Sequence, residues 1–256
     1  MPKYRSALIV GTGPGLSASL ARLFAKNGLS VALAARQTDK LAALAKETGA
    51  SVHACNAADQ KDVASLFETL DAAGRTPDVV VYNASNRVRG ALVDLAPDDV
   101  KRAIDISAFG AFLVSQQAVK RMLPQGEGAV LLSGATAGVK GFALSATFAM
   151  GKFALRGLAQ SMARELSPKG IHVAHIVVDG AVDAPDTLGK LLGPERFQAL
   201  RETKGMEHDG LILPAEVANT YFHLAHQHRS AWTFELDLRA FSDLAWWNHA
   251  GSPTLK

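Results

Sequence analysis

The segment "TFAMGKFALRG" (147–157) contains Phe148 and Lys152, whose residue types and spacing could belong to an active site. They are four positions apart, and residues at that spacing lie on one face of an α-helix. A lysine removed from water has a lowered pKa and can take part in proton transfer. Phenylalanine has no ionisable group and cannot act as a general acid or base. The pair therefore indicates either an active site that lacks a phenol or ordinary surface packing.

A glycine-rich turn, "VGTGPGLS" (10–17), follows a short apolar run and precedes a helical pattern. Gly11, Gly13 and Gly15 permit positive φ and a close approach of the backbone to a ligand. A helix that begins near Gly15 offers free N–H groups and the positive end of its dipole to a phosphate. Leu16 and Ser17 follow, so the spacing is not a plain GxGxxG. This context favours a dinucleotide site, and the alternative is a tight turn that binds nothing.

The end of the second apolar run indicates which dinucleotide is preferred. A carboxylate there would bind the ribose 2′-hydroxyl of NAD, whereas an arginine accommodates the 2′-phosphate of NADP. The run "ALAAR" ends at Arg36, and the next acid is Asp39. We therefore expect NADP(H) rather than NAD(H). The alternative is that Arg36 is merely solvated.

Other charged residues follow later strands. Arg87 and Arg89 come just after the fourth strand, where they could bind a carboxylate or phosphate of a substrate or could be solvated loop charges. Asp179 adds a carboxylate after the sixth strand, with a catalytic role or an ordinary turn-forming role as the alternatives. The eight histidines have no metal-ligand spacing, so no metal site is expected.

Composition limits the class of protein. The 256 residues include 27 basic and 24 acidic ones, and the charges are interspersed, which gives little support to nucleic-acid binding. Cys55 is the only cysteine, so a reducing compartment is expected. The sequence lacks a signal-peptide pattern and any uninterrupted apolar run of membrane-spanning length. We expect a cytoplasmic protein with no membrane contact.

Short β-branched runs alternate with helical patterns, which predicts a parallel sheet covered by helices on both faces. The segment 184–213 interrupts this alternation with Pro, Gly and charged residues and is predicted to be an inserted helical lid over the substrate. We expect a single domain over residues 1–256. The predicted strands are 6–10, 30–35, 51–55, 78–83, 128–134, 171–178 and 231–241, and the predicted helices are 15–27, 39–48, 60–74, 97–123, 147–167 and 214–227.

Several motifs in order resemble the short-chain dehydrogenase/reductase family over essentially the whole chain. "GTGPGLS" looks like the family's GxxxGxG turn with Ser17 for the last glycine, and "CNAAD" (55–59) resembles the segment that holds adenine. "YNAS" (82–85) is similar to the NNAG motif, and "MARELSPKGIHVAHIV" (162–177) resembles the stretch that joins the long helix to the sixth strand. The resemblance implies a Rossmann-type doubly wound α/β domain with a seven-stranded parallel sheet in the order 3-2-1-4-5-6-7.

The resemblance also implies a catalytic set, in which Lys152 matches the family's lysine. Phe148 stands at the tyrosine position, so YxxxK becomes FxxxK, and Ala135 stands at the serine position with Thr136 beside it. Ser107 aligns with the asparagine, although Asp105 would match if the register slipped. The expected catalytic region is completed by Asp179, which replaces the proline of a PG turn. The expected cofactor-binding residues are Gly11, Gly13, Gly15, Leu16, Arg36, Asn56, Ala57, Asn83, Ala84, Ser85, Lys152, Gly180 and Val182.

The sequence leaves three functions open. The first is an NADP(H)-preferring oxidoreductase that transfers a hydride to or from a carbonyl or alcohol substrate with an atypical proton donor. The second is a non-catalytic dinucleotide-binding protein, regulatory or structural in an assembly, that has lost the Ser–Tyr pair. The third is an enzyme of another class on the same fold. The expected partners are a small-molecule substrate and further copies of the chain, because the resemblance implies a homodimer or homotetramer.

Overall fold

One parallel sheet organises the chain. A computed structural model describes residues 4–247, and its strands lie in the order β3-β2-β1-β4-β5-β6-β7. This confirms the strand order that the resemblance implied. The strands are β1 Ser6–Val10, β2 Ser30–Ala35, β3 Ser51–Ala54, β4 Val79–Tyr82, β5 Gly128–Ser133, β6 Ile171–Val178 and β7 Glu235–Leu238.

The central strands are apolar because both faces of the sheet are covered. Every residue of β1, β4 and β5 is buried, as is typical of a parallel sheet between helical layers. The predicted bounds of β1, β2 and β6 match the structure, whereas β7 is shorter than the predicted 231–241. Its predicted first residue, Ala231, ends a 3-10 turn that spans Arg229–Ala231. The side chain of His228 caps this turn and accepts a hydrogen bond from the Ser230 amide.

Helices pack on both faces of the sheet. Leu66, Phe67, Val114 and Leu155 belong to the core on one face. Leu20, Phe24 and Tyr221 belong to the core on the other. The helices are α1 Leu16–Lys26, α2 Ala42–Thr48, α3 Gln60–Ala72, α4 Pro97–Ile104, α5 Gly110–Met122, α6 Ala146–Leu166, α7 Lys190–Leu192, α8 Pro194–Lys204 and α9 Pro214–Ala225.

A π-helical turn at Asp105–Phe109 divides the helix predicted over 97–123 into α4 and α5. The hydroxyl of Tyr82 donates a hydrogen bond to the carbonyl of Ile106 within this turn. Gly110 follows, and a Cβ there would lie 2.7 Å from the carbonyl oxygen of Ala57, so only glycine fits. π-Turns of this kind are frequent at functional sites.

The segment 184–213 is largely helical, as the sequence indicated. It contains a π-helical turn at Pro185–Gly189, then α7, α8 and a 3-10 turn at Met206–His208. An isolated bridge pairs Val182 with Ile212 and brings the two ends of the segment together. The function of this segment as a lid stays a prediction. The single domain over 1–256 also stays a prediction, and residues 1–3 and 248–256 lie outside the described part of the chain. No helix in residues 4–247 is both long and apolar enough to cross a bilayer.

Candidate active site and dinucleotide cleft

A cleft of about 800 Å³ runs along the carboxyl ends of the strands, where ligands bind in open α/β sheets. Most of the residues expected from the sequence line it together. Four of the expected residues do not line it: Ser107, Thr136, Asp179 and Gly180. The predicted residues that line the cleft are Gly11, Gly13, Gly15, Leu16, Arg36, Asn56, Ala57, Asn83, Ala84, Ser85, Ala135, Phe148, Lys152 and Val182.

The glycine turn lets the backbone pack closely against the residues after β4 and leaves space for a ligand in the cleft. Gly11 has φ +83°, and a Cβ there would lie 2.3 Å from the amide nitrogen of Ala84. At Gly13 a Cβ would meet no described atom within 4 Å, so the backbone lies open to the cleft. Gly15 precedes α1 and provides no side-chain cap. The first N–H groups of α1 therefore remain free for a phosphate.

Ser17, which replaces the last glycine of the resembled motif, fastens the turn to the neighbouring strand end. Its hydroxyl donates to the carbonyl of Gly11 at 3.1 Å and accepts from the side-chain amide of Asn83 at 2.9 Å. The substitution thus adds hydrogen bonds between the ends of β1 and β4. It leaves the cleft-facing glycines in place.

Two cations line the far end of the cleft beyond β2. Arg36 and Lys40 both lie there with Gln37, and Arg36 makes no hydrogen bond or ion pair with any residue of the described chain. Asp39 does not line the cleft. Lys40 was not among the residues expected from the sequence, although its position four residues after Arg36 was an available signal. This pair provides positive charge for an anionic group such as a 2′-phosphate.

Lys152 is the buried cation at the centre of the site. Only 3 % of its surface is exposed, and its Nζ donates to the carbonyl oxygen of Ser133 at 2.6 Å. Burial and, next in importance, the charge of Arg87 lower the pKa of Lys152 to about 7. An amine with such a pKa can carry a proton in either direction at neutral pH.

An apolar wall stands where the resembled family has hydroxyl groups. Phe148 is buried with Ala137 and Ala149, and Ala135 packs against them. Nζ of Lys152 lies 5.7 Å from the centroid of the Phe148 ring. The nearby hydroxyl of Ser133 points to the other side and accepts from Tyr221 at 2.8 Å. Lys152 is therefore the titratable group that this wall presents to the cleft.

Thr136 and Asp179 are engaged with each other. The Thr136 hydroxyl donates to Oδ1 of Asp179 at 2.8 Å. Oδ2 of Asp179 accepts from Nε of Arg239 at 3.2 Å and from the backbone amide of Trp246 at 2.9 Å. The residue is buried, with 4 % of its surface exposed. These contacts favour the turn-forming alternative for Asp179, in which it joins β6 to the loop after β5 and to the C-terminal segment.

Ser107 anchors a loop behind the site. Its hydroxyl accepts from the backbone amide of Asn86 at 3.3 Å. A Cβ at Gly151 would lie 2.7 Å from the Cβ of Ser107, so the glycine lets the two helices touch. Asp105, the other candidate for this position, forms an ion pair with Lys101 at 2.6 Å instead. The geometry favours Ser107 as the residue that faces α6.

The loop anchored in this way holds Arg87 over the Phe148 ring. The hydroxyl of Thr147 donates to the carbonyl of Val88 at 2.6 Å, which fixes the loop to the start of α6. The Arg87 guanidinium carbon lies 4.0 Å from the centroid of the Phe148 ring. Arg87 keeps exposed surface, but partial desolvation where it packs on the ring and, next, the charge of Arg89 lower its pKa. Neither arginine contacts a carboxylate of residues 4–247, so the site presents uncompensated positive charge.

Comparisons with known proteins agree with the fold. The sequence model of a family described as "Enoyl-(Acyl carrier protein) reductase" matches residues 11–235. The chain is 33 % identical over 222 residues to trans-4-hydroxycyclohexanecarboxylate dehydrogenase of Sinomonas cyclohexanicum, over 81 % of this chain and 83 % of that protein. A crystal structure of a short-chain dehydrogenase from Rhodopseudomonas palustris superposes with a TM-score of 0.76 at 29 % identity, over 94 % of this chain and 100 % of that one.

A metagenomic short-chain oxidoreductase solved in complex with NADP superposes with a TM-score of 0.76 at 23 % identity, over 92 % of this chain and 96 % of that one. An identity of 23 % shows that the two chains share a fold and shows nothing about a shared function. The neighbour nevertheless shows that a fold of this kind accommodates a nicotinamide dinucleotide.

Proposed function

The chain belongs to the short-chain dehydrogenase/reductase family, and we propose that it is an NADP(H)-preferring oxidoreductase in which Lys152 replaces tyrosine as the proton carrier. One observation carries the proposal. A lysine that is only 3 % exposed and has a pKa of about 7 lines the cleft beside an apolar wall. Burying an ammonium group is costly, and its presence here has a functional explanation.

The groups that line the cleft support binding of a nicotinamide dinucleotide. The free N–H groups at the start of α1 suit the pyrophosphate, and Gly13 leaves room for it. Arg36 and Lys40 suit a 2′-phosphate, which favours NADP(H) over NAD(H). When bound, the nicotinamide supplies the hydride donor or acceptor of the reaction. Lys152 is the residue of the apolar wall that would hold its ribose.

The protein's part in the reaction is to hold and move a proton at Nζ of Lys152. Phe148 and Ala135 exclude water from this nitrogen and provide no competing hydroxyl. Exclusion of water strengthens the interaction between the ammonium group and a developing alkoxide. Because the pKa is close to neutral, the amine is populated in both protonation states under ordinary conditions.

The substrate we propose is a small alcohol or carbonyl compound that carries an anionic group. Arg87 provides the binding site because its guanidinium lies on the Phe148 ring at the mouth of the site without an ion-pair partner in the described chain. The relative from Sinomonas is named for a hydroxycyclohexane carboxylate. Carboxylated cyclic and linear alcohols, with their methyl esters as neutral counterparts, are therefore the first panel to assay.

Cofactor binding and turnover are tested separately. Quenching of tryptophan fluorescence should show tighter binding of NADPH than of NADH, and Arg36→Leu should remove the difference while the exposed control Arg75→Leu retains it. Turnover of the panel should be lost in Lys152→Met with the cofactor still bound, and kept in Lys120→Met at the end of α5. If neither dinucleotide binds, the proposed function is wrong.

The non-catalytic alternative makes a different prediction for Phe148. A protein that only binds the dinucleotide would show no turnover as the wild type, and Phe148→Tyr would create it. In an oxidoreductase that uses Lys152, the wild type turns over the panel before any substitution. The named dehydrogenase activity of the Sinomonas relative does not favour the alternative.

We also propose that residues 184–213, of which Ala184 and Thr187 line the cleft, form a lid over the substrate. We further propose that the chain forms a homo-oligomer. Phe109, Phe112, Met150 and Phe153 are large apolar side chains that remain between 40 and 50 % exposed along the α5 and α6 region. A second copy of the chain would cover them, as the family resemblance implies. Light scattering of the wild type and of Phe153→Lys should show an oligomer and its dissociation, respectively.

A further inference from the structure

The side chain of Lys152 is an amine as well as a proton carrier, and its surroundings favour reaction at the nitrogen. Within residues 4–247 its Nζ hydrogen-bonds to the carbonyl oxygen of Ser133 at 2.6 Å, and no carboxylate of these residues forms an ion pair with it. A carboxylate partner would favour the ammonium form, which has no lone pair. Without that partner, the unprotonated amine is available as a nucleophile.

This amine belongs to the wall of the cleft. Ser133, Gly134, Ala135 and Phe148 line the same cleft as Lys152. The lysine is also buried, so it is shielded from bulk water on its other sides. A lysine that is desolvated in an apolar pocket or lies near another cation is a nucleophile that forms imines with carbonyl compounds. The position of Lys152 meets both conditions.

The second cation, Arg87, borders the same aromatic ring as Lys152. The guanidinium carbon lies 4.0 Å from the centroid of the Phe148 ring, and Nζ of Lys152 lies 5.7 Å from it. Arg87 is exposed and has no ion-pair partner in the described chain. It is near enough for its charge to lower the pKa of Lys152. The two groups therefore suit a compact compound that offers a carbonyl group to Nζ and an anionic group to the guanidinium.

The charged and titratable groups that face Lys152 offer it no negative charge. They are Arg87, from the loop after β4, and His175, on β6. The imidazole packs against the backbone beside Lys152, because a Cβ at Gly134 would lie 2.5 Å from its Nε2. Burial lowers the pKa of His175, Glu235 opposes this, and the charge of Lys152 lowers it further. Burial and Arg87 lower the pKa of Lys152 to about 7, so a large fraction of the amine is unprotonated at neutral pH.

We propose that Lys152 is a covalent capture site, at which Nζ forms an iminium ion with a small aldehyde or ketone that carries an anionic group. This activity goes beyond the proposed hydride transfer and needs no dinucleotide. The lone pair of Nζ attacks the carbonyl carbon, and the carbonyl oxygen takes one proton from the nitrogen. A second proton, from solvent, lets the carbon–oxygen bond break, and the oxygen leaves as water. The new carbon–nitrogen double bond carries the positive charge, and hydrolysis reverses each step.

The same surroundings suit the iminium ion once it has formed. Its nitrogen keeps one hydrogen, which can still be donated to the carbonyl oxygen of Ser133. The Phe148 ring lies within the distance of about 6 Å at which an aromatic ring attracts a cation. Phe148 and Ala135 also form an apolar wall. This wall limits the access of water, which is the reagent that hydrolyses an iminium ion.

Reductive trapping tests the proposal without dinucleotide or turnover. The protein is incubated at neutral pH with glyoxylate and cyanoborohydride, which reduces an iminium ion to a stable secondary amine. Peptide mass spectrometry then locates the carboxymethyl groups on lysines. An ordinary lysine is less than about 0.1 % unprotonated at this pH, so Lys152 should be labelled about 100-fold faster than the exposed Lys120 on α5. Labelling of Lys152 that is no faster than that of Lys120 overturns the proposal.

The dependence on pH distinguishes an amine with a lowered pKa from an ordinary accessible one. Between about pH 7 and 10 the unprotonated fraction of Lys152 roughly doubles, whereas that of an ordinary lysine rises several hundredfold. The ratio of Lys152 labelling to Lys120 labelling should therefore fall steeply as the pH rises. This ratio cancels any effect of pH on the reagents. A ratio that stays constant shows ordinary amine behaviour and overturns the proposal.

Arg87→Leu tests the anionic group of the ligand. Methyl glyoxylate is the neutral probe, and the ratio of the glyoxylate rate to the methyl glyoxylate rate cancels any change in the pKa of Lys152. This ratio should fall about tenfold in Arg87→Leu, as expected for loss of one charged hydrogen bond. The exposed control Arg75→Leu should keep the wild-type ratio. An unchanged ratio in Arg87→Leu overturns the ligand class that we propose.

These outcomes are separate from those of the proposed function. The main result needs only the wild-type protein, and Lys152→Met supplies the blank for the mass spectra. A protein that binds no dinucleotide but is labelled at Lys152 has the capture site, while the proposed function fails. A protein that turns over the substrate panel but is not labelled at Lys152 has the proposed function, while the capture site fails.

Discussion

Replacing Lys152 by methionine should stabilise the protein at acidic and neutral pH while it abolishes turnover. The side chain is buried and carries a positive charge that no carboxylate contacts in the described part of the chain. Methionine has a similar length and fills the same space without the charge. The native state would then no longer bear the cost of removing an ammonium group from water.

The size of the effect follows from the pKa of Lys152. The pKa falls from 10.5 to about 7 on folding, and each unit corresponds to about 1.4 kcal/mol. The buried ammonium group therefore destabilises the native state by about 5 kcal/mol below pH 7. Methionine also leaves the Ser133 carbonyl without its hydrogen bond, at a cost of about 1–3 kcal/mol. The net stabilisation expected at about pH 6 is 2–4 kcal/mol.

The pH dependence distinguishes this explanation from a general packing effect. Between pH 7 and 10.5 the unfolded chain holds a proton on Lys152 that the native state has released. Wild-type stability should therefore rise with pH in this window, relative to Lys152→Met. The stabilising effect of the substitution should shrink with rising pH and reverse near the upper end.

Urea unfolding of both proteins at about pH 6, 8 and 9.5 measures these differences, with Lys120→Met as the exposed control. A difference between wild type and Lys152→Met that does not change with pH would refute a depressed pKa for Lys152. A Lys152→Met protein that is less stable throughout would show that the side chain contributes more by packing and hydrogen bonding than its charge costs.

Three further predictions concern the rest of the site. Arg36→Leu should weaken NADPH binding about 10–100-fold, as expected for loss of a charged hydrogen bond, and barely change NADH binding; equal weakening of both would contradict a 2′-phosphate contact. Arg87→Leu should raise KM for carboxylated substrates and leave KM for their methyl esters unchanged, and a common rise for both would show that it only packs on Phe148. Asp179→Ala removes three hydrogen bonds at a buried position, so calorimetry should show a loss of stability of about 3 kcal/mol. Unchanged stability with lost turnover would instead restore Asp179 as a catalytic group.

Much of the fold could be predicted from the sequence because its determinants are local and repeated. The runs 6–10, 30–35 and 171–178 are strands with the predicted bounds, since a fully buried parallel strand must be apolar along its length. Gly11 could be placed in a tight turn at the cleft because that turn depends on the absence of a side chain. The π-turn at Asp105–Phe109 could not be predicted, because it depends on the Tyr82 hydroxyl and on the space that Gly110 leaves.

The sequence by itself determined the sheet, the glycine turn at the cleft and the absence of hydroxyl groups at positions 135 and 148, because each depends on residue type at a known place in the chain. Only the tertiary structure decided what the remaining polar residues do. Thr136 and Asp179 bond to each other, and Arg87 lies over Phe148. His175 reaches the peptide that holds Lys152 only because β5 and β6 are neighbours and Gly134 has no side chain. Contacts between residues so far apart in the chain are set by strand order and packing, which a single position in a sequence does not reveal.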